Sequence, residues 1–336
     1  MGVGVELGRT GLRVSRLTLG CAPLGNLFAP VPADDALATV GAALAGGVTT
    51  FDAAPLYGNG LAERRLGVAL DGRRGLVVST KVGRRLTPLR GRPPTEGIYV
   101  ERPPFQAEMD YSFDGALRQV EDSLQRLGRD RLEVLLIHDY TPRNDPQHDP
   151  ALFAAAMSGA YRALRRLRDE GVVRAVGFGV NHVPLAMRFL EAGDFDCAML
   201  AGRYSLLDRS AEERFLPLCQ ERGVGVMLAA PFASGILAAP ANGRSQARFR
   251  YDPPAPEILP RVNRLEQACF AHGVTLRAAA LHFPLRHPAV ATVVVGCRSA
   301  DEVRANVGDL ESLPPADLWR EIDAPSAPEA TLSWES

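Results

Sequence analysis

A short apolar run, Val134-Leu135-Leu136-Ile137-His138, is followed by a helix-like segment at 151–170 and then by a second run, Val173-Arg174-Ala175-Val176-Gly177. Both runs have the length and the aliphatic content of buried strands, and the segment between them has the length of an amphipathic helix. Strands joined by a crossover helix pair in parallel, because a tight turn joins only antiparallel neighbours. The stretch therefore predicts one strand–helix–strand unit of an α/β protein.

The same alternation continues from this unit towards both ends of the chain. Eight strand candidates and eight helix-like segments follow one another, which favours a closed (β/α)8 TIM barrel over an open doubly wound sheet. We predict that residues 1–336 form a single barrel domain. The predicted strands are 17–19, 49–52, 76–80, 134–138, 173–177, 197–200, 225–229 and 292–295, and the predicted helices are 34–45, 61–70, 113–127, 151–170, 184–191, 209–221, 258–271 and 300–306.

Four segments lie outside this regular alternation. Residues 1–15 predict an N-terminal hairpin that closes the bottom of the barrel. Residues 83–110 follow the third strand and residues 231–256 follow the seventh, and both are rich in proline and glycine. Long loops after barrel strands are usually lids or binding loops at the active face, so we expect these two to form the substrate pocket. The tail, 325–336, is expected on the surface.

The overall composition excludes several classes of protein. With 46% hydrophobic and 23% charged residues, the chain falls among ordinary globular proteins. Its 38 basic and 39 acidic residues give a net charge of -1, and no basic block is long enough to follow a phosphate backbone. We therefore expect no nucleic-acid partner. No secretory signal pattern and no membrane-spanning apolar run is apparent, so we expect a cytoplasmic protein without a membrane partner.

The cysteines predict neither a disulfide framework nor a zinc site. They are odd in number, scattered and never spaced as C-x-x-C, so we expect buried thiols and no bound metal. The five residues are Cys21, Cys197, Cys219, Cys269 and Cys297.

Four polar side chains occur where predicted strands end. Asp52 ends the second strand, Tyr57 follows in the next loop, Lys81 ends the third strand and His138 ends the fourth. Barrel enzymes place their catalytic groups at these carboxyl ends. A phenol is a poor acid or base at neutral pH unless its anion is stabilised, and a neighbouring ammonium group provides that stabilisation. We therefore predict that Tyr57 transfers a proton, Lys81 favours its phenolate, Asp52 holds Lys81, and His138 hydrogen-bonds the substrate oxygen.

Each of these residues taken alone has a simpler interpretation. Asp52 could cap a turn, Lys81 could be a surface charge, and His138 could be a packed core residue. Because all four occur in order on consecutive strands, we favour the joint catalytic interpretation. A different chemistry is also open at this point, since Lys81 could form a Schiff base as in barrel aldolases, which need no nicotinamide.

The four residues and their order resemble the catalytic tetrad of the aldo-keto reductase family, and the resemblance extends over nearly the whole chain. It is closer to a subgroup of aldose 1-dehydrogenases that includes L-fucose (D-threo-aldose) dehydrogenases and pyridoxal 4-dehydrogenases. The stretches that carry this closer resemblance are Asp110-Tyr111-Ser112-Phe113-Asp114-Gly115, Glu121-Asp122-Ser123-Leu124-Gln125-Arg126-Leu127-Gly128, Ala201-Gly202-Arg203-Tyr204-Ser205-Leu206-Leu207, Ala278-Ala279-Ala280-Leu281 and His287-Pro288-Ala289-Val290.

The resemblance implies an NAD(P)-dependent oxidoreductase that transfers hydride between nicotinamide and a small-molecule substrate, a sugar hemiacetal or an aldehyde. An aldose 1-dehydrogenase of the L-fucose or D-threo-aldose type is the favoured activity. A pyridoxal 4-dehydrogenase or a general aldehyde reductase is the alternative of the same class. A nucleotide-sensing binding module, like the channel-associated β-subunits of the same superfamily, is an alternative of another class.

No G-x-G-x-x-G motif follows an early strand, which argues against a Rossmann-type nucleotide fold. The resemblance implies instead that the cofactor binds directly on the barrel. It places residues 177–181 beside the nicotinamide carboxamide, with Gly179 close to it and Asn181 as the expected side-chain donor. Ala201 stands where the family has a nicotinamide-binding glutamine.

Other cofactor contacts are also implied by the resemblance. Ala229 stands where an aromatic residue normally stacks on the nicotinamide ring, so Tyr204 or Phe232 would supply the stacking surface. The loop after the seventh strand would offer backbone amides to the pyrophosphate, and the helix that follows the eighth strand would receive the adenosine phosphate at its N-terminus. Residues expected at these two places are Pro231, Phe232, Ser234, Gly235, Gly296, Arg298, Ser299, Glu302 and Asn306.

Glu302 bears on the choice of coenzyme. It occupies the position at which many NADP-preferring members place an arginine against the 2'-phosphate. A carboxylate repels phosphate but accepts hydrogen bonds from a ribose diol. We therefore predict a preference for NAD, with NADP as the alternative because Arg298 is close by.

Overall fold

The computed structural model of the chain describes residues 4–91, 97–139, 150–239, 247–250 and 252–324. Eight parallel strands close into a barrel, in which each strand pairs with its neighbours along the chain and the last pairs with the first. All eight strands lie where the sequence predicted them, and the (β/α)8 architecture is confirmed. The predicted tail, 325–336, lies outside the described residues.

The helices and strands have the following bounds, in chain order. The strands are β1 (Val5–Glu6), β2 (Arg13–Val14), β3 (Leu17–Gly20), β4 (Thr50–Asp52), β5 (Val77–Val82), β6 (Arg84–Pro88), β7 (Phe105–Met109), β8 (Leu132–His138), β9 (Val173–Val180), β10 (Cys197–Ala201), β11 (Gly225–Ala229) and β12 (Val290–Gly296). The helices are α1 (Ala33–Ala45), α2 (Leu61–Ala69), α3 (Phe113–Leu127), α4 (Pro150–Ala155), α5 (Tyr161–Asp169), α6 (Val183–Ala192), α7 (Phe215–Arg222), α8 (Ile258–Ala271), α9 (Leu276–His282), α10 (Ala300–Glu311) and α11 (Ala316–Asp323).

Alternate residues of the barrel strands belong to two different hydrophobic clusters. Leu135 and Ile137 of β8 pack with residues of the surrounding helices, whereas Val134 and Leu136 pack inside the barrel. By this alternation His138, at the end of β8, faces the barrel interior. Asp52 on β4 and Lys81 on β5, the predicted catalytic residues of these strands, face the interior as well. The three side chains therefore meet at one mouth of the barrel.

The predicted N-terminal hairpin is confirmed. β1 and β2 pair antiparallel, with Val5 opposite Val14. Leu7 and Leu12, in the turn region, are almost completely buried and pack against the interior cluster of the barrel. The amide of Arg9 donates to the carbonyl oxygen of Gly223, just before β11 begins. The hairpin therefore closes the end of the barrel that contains the amino ends of the strands.

The segment after the third barrel strand differs from the expected irregular loop. Its two ends form an antiparallel pair, β6 and β7, in which Arg84 is opposite Met109 and Pro88 is opposite Phe105. No turn signal at a short spacing marks this hairpin in the sequence, because sixteen residues separate the strands. Arginine and proline residues in β6 also obscure the period of two.

The helix predictions need four corrections. The predicted helix 209–221 begins at Phe215, because the carboxylate of Asp208 accepts hydrogen bonds from the amide and hydroxyl of Ser210 and holds the preceding segment in turns. The predicted helix 151–170 contains a π-helical turn, Ala156–Ala160, in its middle. The predicted helix 300–306 extends to Glu311. Helices α9 and α11 were not predicted.

All five cysteines are buried free thiols, as predicted. Burial raises the pKa of the Cys219 thiol to about 12. Among the helices that the structure describes, none has the length and apolar character needed to cross a bilayer.

Candidate active site

A buried ion pair joins the carboxyl ends of β4 and β5. Lys81 Nζ lies 2.7 Å from Oδ2 and 2.9 Å from Oδ1 of Asp52, and it lies 3.1 Å from Tyr57 Oη. The same nitrogen donates to the carbonyl oxygen of Ala53 at 2.9 Å. Asp52 and Lys81 are 2% and 1% exposed, so the ammonium charge acts on the phenol oxygen with little screening by water. The structure thus brings these three predicted residues into direct contact.

Ser79 belongs to this cluster although sequence reasoning missed it. Its side chain is buried, and its hydroxyl donates to Asp52 Oδ1 at 2.6 Å. Ser79 precedes Lys81 by two residues, so both face the barrel interior. The period of two could have revealed this partner. The hydroxyl fixes the carboxylate that holds the ammonium group beside the phenol.

Two glycines position Tyr57 at the barrel mouth. A Cβ atom on Gly58 would lie 2.3 Å from the carbonyl oxygen of Gly25, and a Cβ atom on Gly25 would lie 2.6 Å from the carbonyl carbon of Tyr57. Gly58 also has a φ of 62°, which glycine adopts without strain. The loops after β3 and β4 can therefore cross closely beside Tyr57. The phenol is half-buried, with Lys81 Nζ 4.6 Å from the ring centroid.

His138 is the fourth predicted residue, and it lies beside Tyr57. The two rings meet edge to face with their centroids 5.9 Å apart. Burial lowers the pKa of His138 well below its ordinary value, and the charges of Lys81 and Arg84 lower it further. Nδ1 is buried and has no hydrogen-bond partner among the described residues. The imidazole is therefore neutral at neutral pH and carries one N–H group for donation to a substrate oxygen.

Tyr111 fixes the backbone of His138 from the side of α3. Its phenol oxygen donates to the carbonyl oxygen of His138 at 2.7 Å. The ring fits only because Gly83 lacks a side chain, since a Cβ atom there would lie 2.3 Å from Cε1 of Tyr111. Ser112, the next residue, caps the N-terminus of α3 through its hydroxyl. Part of the segment that carries the closer family resemblance thus supports the histidine.

Aromatic side chains form one wall of the mouth, among them Tyr99 from the loop at 83–110 that the sequence predicted to form the substrate pocket. The Tyr99 ring stacks on Tyr57 with centroids 6.1 Å apart and an interplanar angle of 29°. The backbone of Tyr99 pairs with Leu27, and the guanidinium of Arg248 lies 4.7 Å from the centroid of Phe28. Loops after four different barrel strands, β3, β4, β5 and β11, therefore meet here. No local sequence signal marks a contact between residues so far apart.

The opposite side of the mouth is lined by small residues. Gly179, Ala201 and Ala229 lie near the carboxyl ends of β9, β10 and β11, where Ala201 pairs with Ala229 and Gly179 pairs with Met199. A Cβ atom on Gly179 would lie 3.5 Å from Cε of Lys81, so this side lies directly against the ion pair. The two alanines that depart from the family pattern place only methyl groups where the family has a glutamine and an aromatic side chain.

Asn181 follows β9 at the same end of the barrel. Its backbone is held from both sides, because its carbonyl oxygen accepts from Nε of Arg203 at 2.6 Å and its amide donates to Oδ2 of Asp139 at 3.4 Å. Its side-chain Oδ1 is buried and has no hydrogen-bond partner among the described residues. A buried amide oxygen without a partner fits a ligand that carries an amide N–H group.

The loop after β11 contains the residues expected near the pyrophosphate. Ala233, Ser234 and Gly235 have φ values of 49°, 65° and 107°, so the loop turns sharply there. The amides of Ala233 and Gly235 donate to the carbonyl oxygens of Ala230 and Phe232. The turns of the loop itself therefore use two of the amides that the sequence analysis assigned to phosphate oxygens.

Tyr204 does not reach the barrel mouth. It is 4% exposed, its ring lies 4.9 Å from the ring of Phe283 in the outer cluster, and its phenol donates to Glu212 at 3.4 Å. Burial raises the pKa of Tyr204 to about 12. A ring enclosed in this way is not positioned to stack on a cofactor, so its placement does not support the role expected for it. The half-buried Phe232 is the better placed of the two expected stacking residues.

Phe232 and Asn306, which are distant in sequence, both contact Arg277 of α9. Asn306 Oδ1 accepts from Nη2 of Arg277 at 2.8 Å, and the guanidinium lies 5.9 Å from the centroid of Phe232. Asn306 Nδ2 also donates to Sγ of Cys297 at 3.2 Å. The oxygen and the nitrogen of the Asn306 side-chain amide are therefore both already hydrogen-bonded.

The N-terminus of α10 follows Gly296, the last residue of β12, and carries its own carboxylate. Ser299 caps the helix by accepting from the amide of Glu302 at 3.2 Å, and the Glu302 carboxylate accepts from the amide of Arg298 at 2.8 Å. The guanidinium of Arg298 donates to the carbonyl oxygen of Leu27 at 2.5 Å. A negative charge thus stands at the site expected for the adenosine phosphate.

The hydrogen bonds of Lys81 weigh against Schiff-base chemistry. A Schiff base requires an unprotonated amine that can reach a carbonyl carbon. Lys81 Nζ is buried and is surrounded by oxygen atoms of Asp52, Ala53 and Tyr57. These oxygen atoms leave no open approach to the nitrogen.

Comparison with known proteins agrees with this geometry. Residues 16–326 match the model of the Aldo/keto reductase family. The chain is 42% identical to the pyridoxal 4-dehydrogenase of Microbacterium luteolum and 36% identical to the D-threo-aldose 1-dehydrogenase of a Pseudomonas species, in each case over 93% of this chain and 94% of the relative. The holo form of an aldo-keto reductase from Bacillus halodurans has a similar structure, with a TM-score of 0.74 and 29% identity over 96% of this chain and 95% of that one.

The predicted family and the predicted enzyme class are both confirmed by these matches. Aldo-keto reductases use nicotinamide cofactors. The relatives are named as dehydrogenases. The chain therefore belongs to the aldo/keto reductase family and is an oxidoreductase.

Proposed function

We propose that this chain is an NAD-dependent dehydrogenase of the aldose 1-dehydrogenase type that oxidises a cyclic hemiacetal to a lactone. The observation that carries the proposal is the 3.1 Å contact between Lys81 Nζ and Tyr57 Oη, with Asp52 2.7 Å from the same nitrogen. A phenol beside a buried ammonium group can accept and return a proton at neutral pH, as general acid–base catalysis requires.

Tyr57 is the residue that moves the proton. In the oxidative direction, the hydroxyl group on the reacting carbon gives its proton to the Tyr57 phenolate, and the C–H bond of the same carbon loses its hydrogen with the electron pair. Loss of one proton and one hydride converts the hemiacetal carbon into a lactone carbonyl. Lys81 stabilises the phenolate, while Asp52 and Ser79 hold the ammonium group in place. The nicotinamide cofactor supplies the hydride acceptor when it is bound.

His138 orients the substrate. Because burial and two nearby positive charges keep the imidazole neutral, it donates a hydrogen bond to the substrate oxygen without competing with Tyr57 for the proton. This donor fixes the distance between the reacting oxygen and the phenol.

The side of the mouth that carries Gly179, Ala201 and Ala229 would hold the nicotinamide ring. A Cβ atom on Gly179 would lie 3.5 Å from Lys81 Cε, which supports a position beside the ion pair, and Oδ1 of Asn181, which has no partner among the described residues, is suited to the carboxamide N–H. Phe232, half-buried in the loop after β11, would supply the stacking surface.

A preference for NAD over NADP is supported by Glu302. Its carboxylate already occupies the N-terminus of α10, where a 2'-phosphate would meet like charge. The nearest cation, Arg298, donates to the carbonyl oxygen of Leu27. In steady-state assays we expect a higher kcat/KM with NAD than with NADP. Glu302→Gln should reduce the ratio of these two kcat/KM values. A much higher kcat/KM with NADP in the unmodified enzyme would overturn the proposal.

The substrate class is supported by what the two relatives' names have in common. Aldoses and pyridoxal both exist in water as cyclic hemiacetals, so one reaction, the loss of hydride from a hemiacetal carbon, covers both. A second candidate, pyridoxal 4-dehydrogenase, is favoured by the 42% identity to an enzyme of that name and by the Tyr99 ring beside Tyr57, a surface for a planar aromatic substrate.

A substrate panel tests these proposals together. Aldoses, pyridoxal and simple aldehydes are incubated with NAD or NADP, and the absorbance of the reduced cofactor is followed while the product is tested for a lactone. We expect reduction of NAD with at least one cyclic hemiacetal. Reaction with simple aldehydes alone would identify a general aldehyde reductase. Tight NAD binding without turnover of any compound would support a nucleotide sensor.

A further inference from the structure

Arg84 is a cation at the barrel mouth that has no acidic partner among the described residues. It is the first residue of β6, three positions after Lys81, and its Nη2 donates to the carbonyl oxygen of Asp139 at 2.8 Å. Its Nε is buried and has no hydrogen-bond partner among the described residues. Within the same part of the chain no carboxylate forms an ion pair with Arg84, whereas the adjacent Arg85 pairs with Glu108 at 3.0 Å.

The contact with Asp139 places the guanidinium next to His138. Asp139 directly follows His138, and its own amide is tied to the carbonyl oxygen of Gly179 at 2.9 Å. The charge of Arg84 also contributes to the lowered pKa of His138. Arg84 is therefore held beside the residue that would bind the reacting oxygen.

A half-buried guanidinium with an unused donor has a clear chemical preference. Its planar array of N–H groups binds oxygen atoms, and a hydrogen bond from a charged donor is stronger than one between neutral groups. A buried donor that finds no acceptor carries the cost of its lost hydration. An oxygen atom of a bound substrate would remove that cost.

We propose that Arg84 is a specificity-determining residue that binds an oxygen substituent close to the reacting carbon of the substrate. This inference rests on the function proposed above. In an aldose the oxygen is the 2-hydroxyl, on the neighbouring carbon. In pyridoxal it is the phenolate oxygen, on the ring atom beside the one that carries the reacting carbon. The two substrates thus share the feature that Arg84 recognises.

The test compares substrates with and without this oxygen. The wild-type enzyme and Arg84→Gln are assayed with pyridoxal and 3-deoxypyridoxal, and with L-fucose and its 2-deoxy analogue, and kcat/KM is measured for each. Arg85→Gln is the matched control, because it removes a neighbouring arginine that pairs with Glu108 within the β6–β7 hairpin. Melting temperatures confirm that each variant is folded, and Arg84→Lys provides a second variant that keeps the charge but loses the planar donor array.

We expect Arg84→Gln to reduce kcat/KM for the oxygen-bearing substrate on the order of 10- to 100-fold. Arg84→Gln should have little effect on kcat/KM for the deoxy analogue. Arg85→Gln should leave kcat/KM unchanged for both the parent compound and its analogue. The parent–analogue pair whose kcat/KM values respond differently to Arg84→Gln shows whether the recognised oxygen belongs to a sugar or to pyridoxal. Equal losses with the parent compound and its analogue would overturn the role of Arg84, whereas no turnover of either parent by the wild-type enzyme would count against the proposed function itself.

Discussion

Replacing Lys81 by Met removes the charge on which the proposed chemistry depends. An ammonium group 3.1 Å from the phenol oxygen stabilises its anion by about 5 kcal/mol at an effective dielectric constant of about 20. The carboxylate of Asp52, in contact with the same ammonium, offsets part of this stabilisation. A net loss of about 3–4 kcal/mol corresponds to a fall in kcat on the order of 10² to 10³.

The same substitution also leaves a buried carboxylate without its cation. Asp52 is 2% exposed and would keep only the hydroxyl of Ser79 as a side-chain partner. Removing one member of a buried ion pair usually lowers the free energy of unfolding by about 3–5 kcal/mol. A loss of activity in Lys81→Met alone could therefore reflect partial unfolding.

A double variant separates these two effects. Asp52→Asn combined with Lys81→Met removes both charges and should recover most of the lost free energy of unfolding, measured by denaturant titration. The kcat should stay low, because the phenol still lacks its neighbouring cation. Recovery of activity together with stability would refute the reasoning, as would a kcat for Lys81→Met close to that of the wild type.

Three further substitutions test the site. Tyr57→Phe should lower kcat by about 10² to 10⁴ while the Kd for NAD, measured by fluorescence titration, stays unchanged; near-wild-type turnover would exclude Tyr57 as the proton carrier. His138 has a folded-state pKa below its ordinary 6.5, so wild-type stability should fall by up to about 1.4 kcal/mol per pH unit as the pH drops below about 6.5, and His138→Gln should lose that part of the slope in denaturant titrations at several pH values. Equal slopes would contradict the buried neutral imidazole. Tyr111→Phe should lower kcat more than it changes KM, because it frees the backbone of His138; an effect on melting temperature alone would mean that the contact is only structural.

Much of the fold follows from short-range patterns. Buried strands and amphipathic helices differ in the period of their apolar residues, and that period is a property of neighbouring residues along the chain. The eight barrel strands could therefore be predicted from sequence. The hairpin formed by β6 and β7 could not, because its pairing joins residues such as Arg84 and Met109 across a long connection with no turn signal.

The candidate catalytic residues were predictable for a related reason. Asp52, Lys81 and His138 end consecutive strands of a parallel barrel, so their convergence follows once the fold is known. Arg84, Tyr99 and Tyr111 carry no such signal. Their places depend on how loops pack together, and the carbonyl that Arg84 binds belongs to a residue 55 positions away.

The sequence by itself determined the strand order, the barrel and the residue types at its mouth, because these depend on local periodicity and on the rule that parallel strands end at one face. Only the tertiary structure decided which predicted contacts are made. It placed Tyr204 in the outer layer and paired the amide of Asn306 with Arg277. It also closed the N-terminus of α10 with Glu302. These outcomes depend on which distant group pairs with each buried polar atom in the folded chain. The period of the apolar residues contains no information about such pairings.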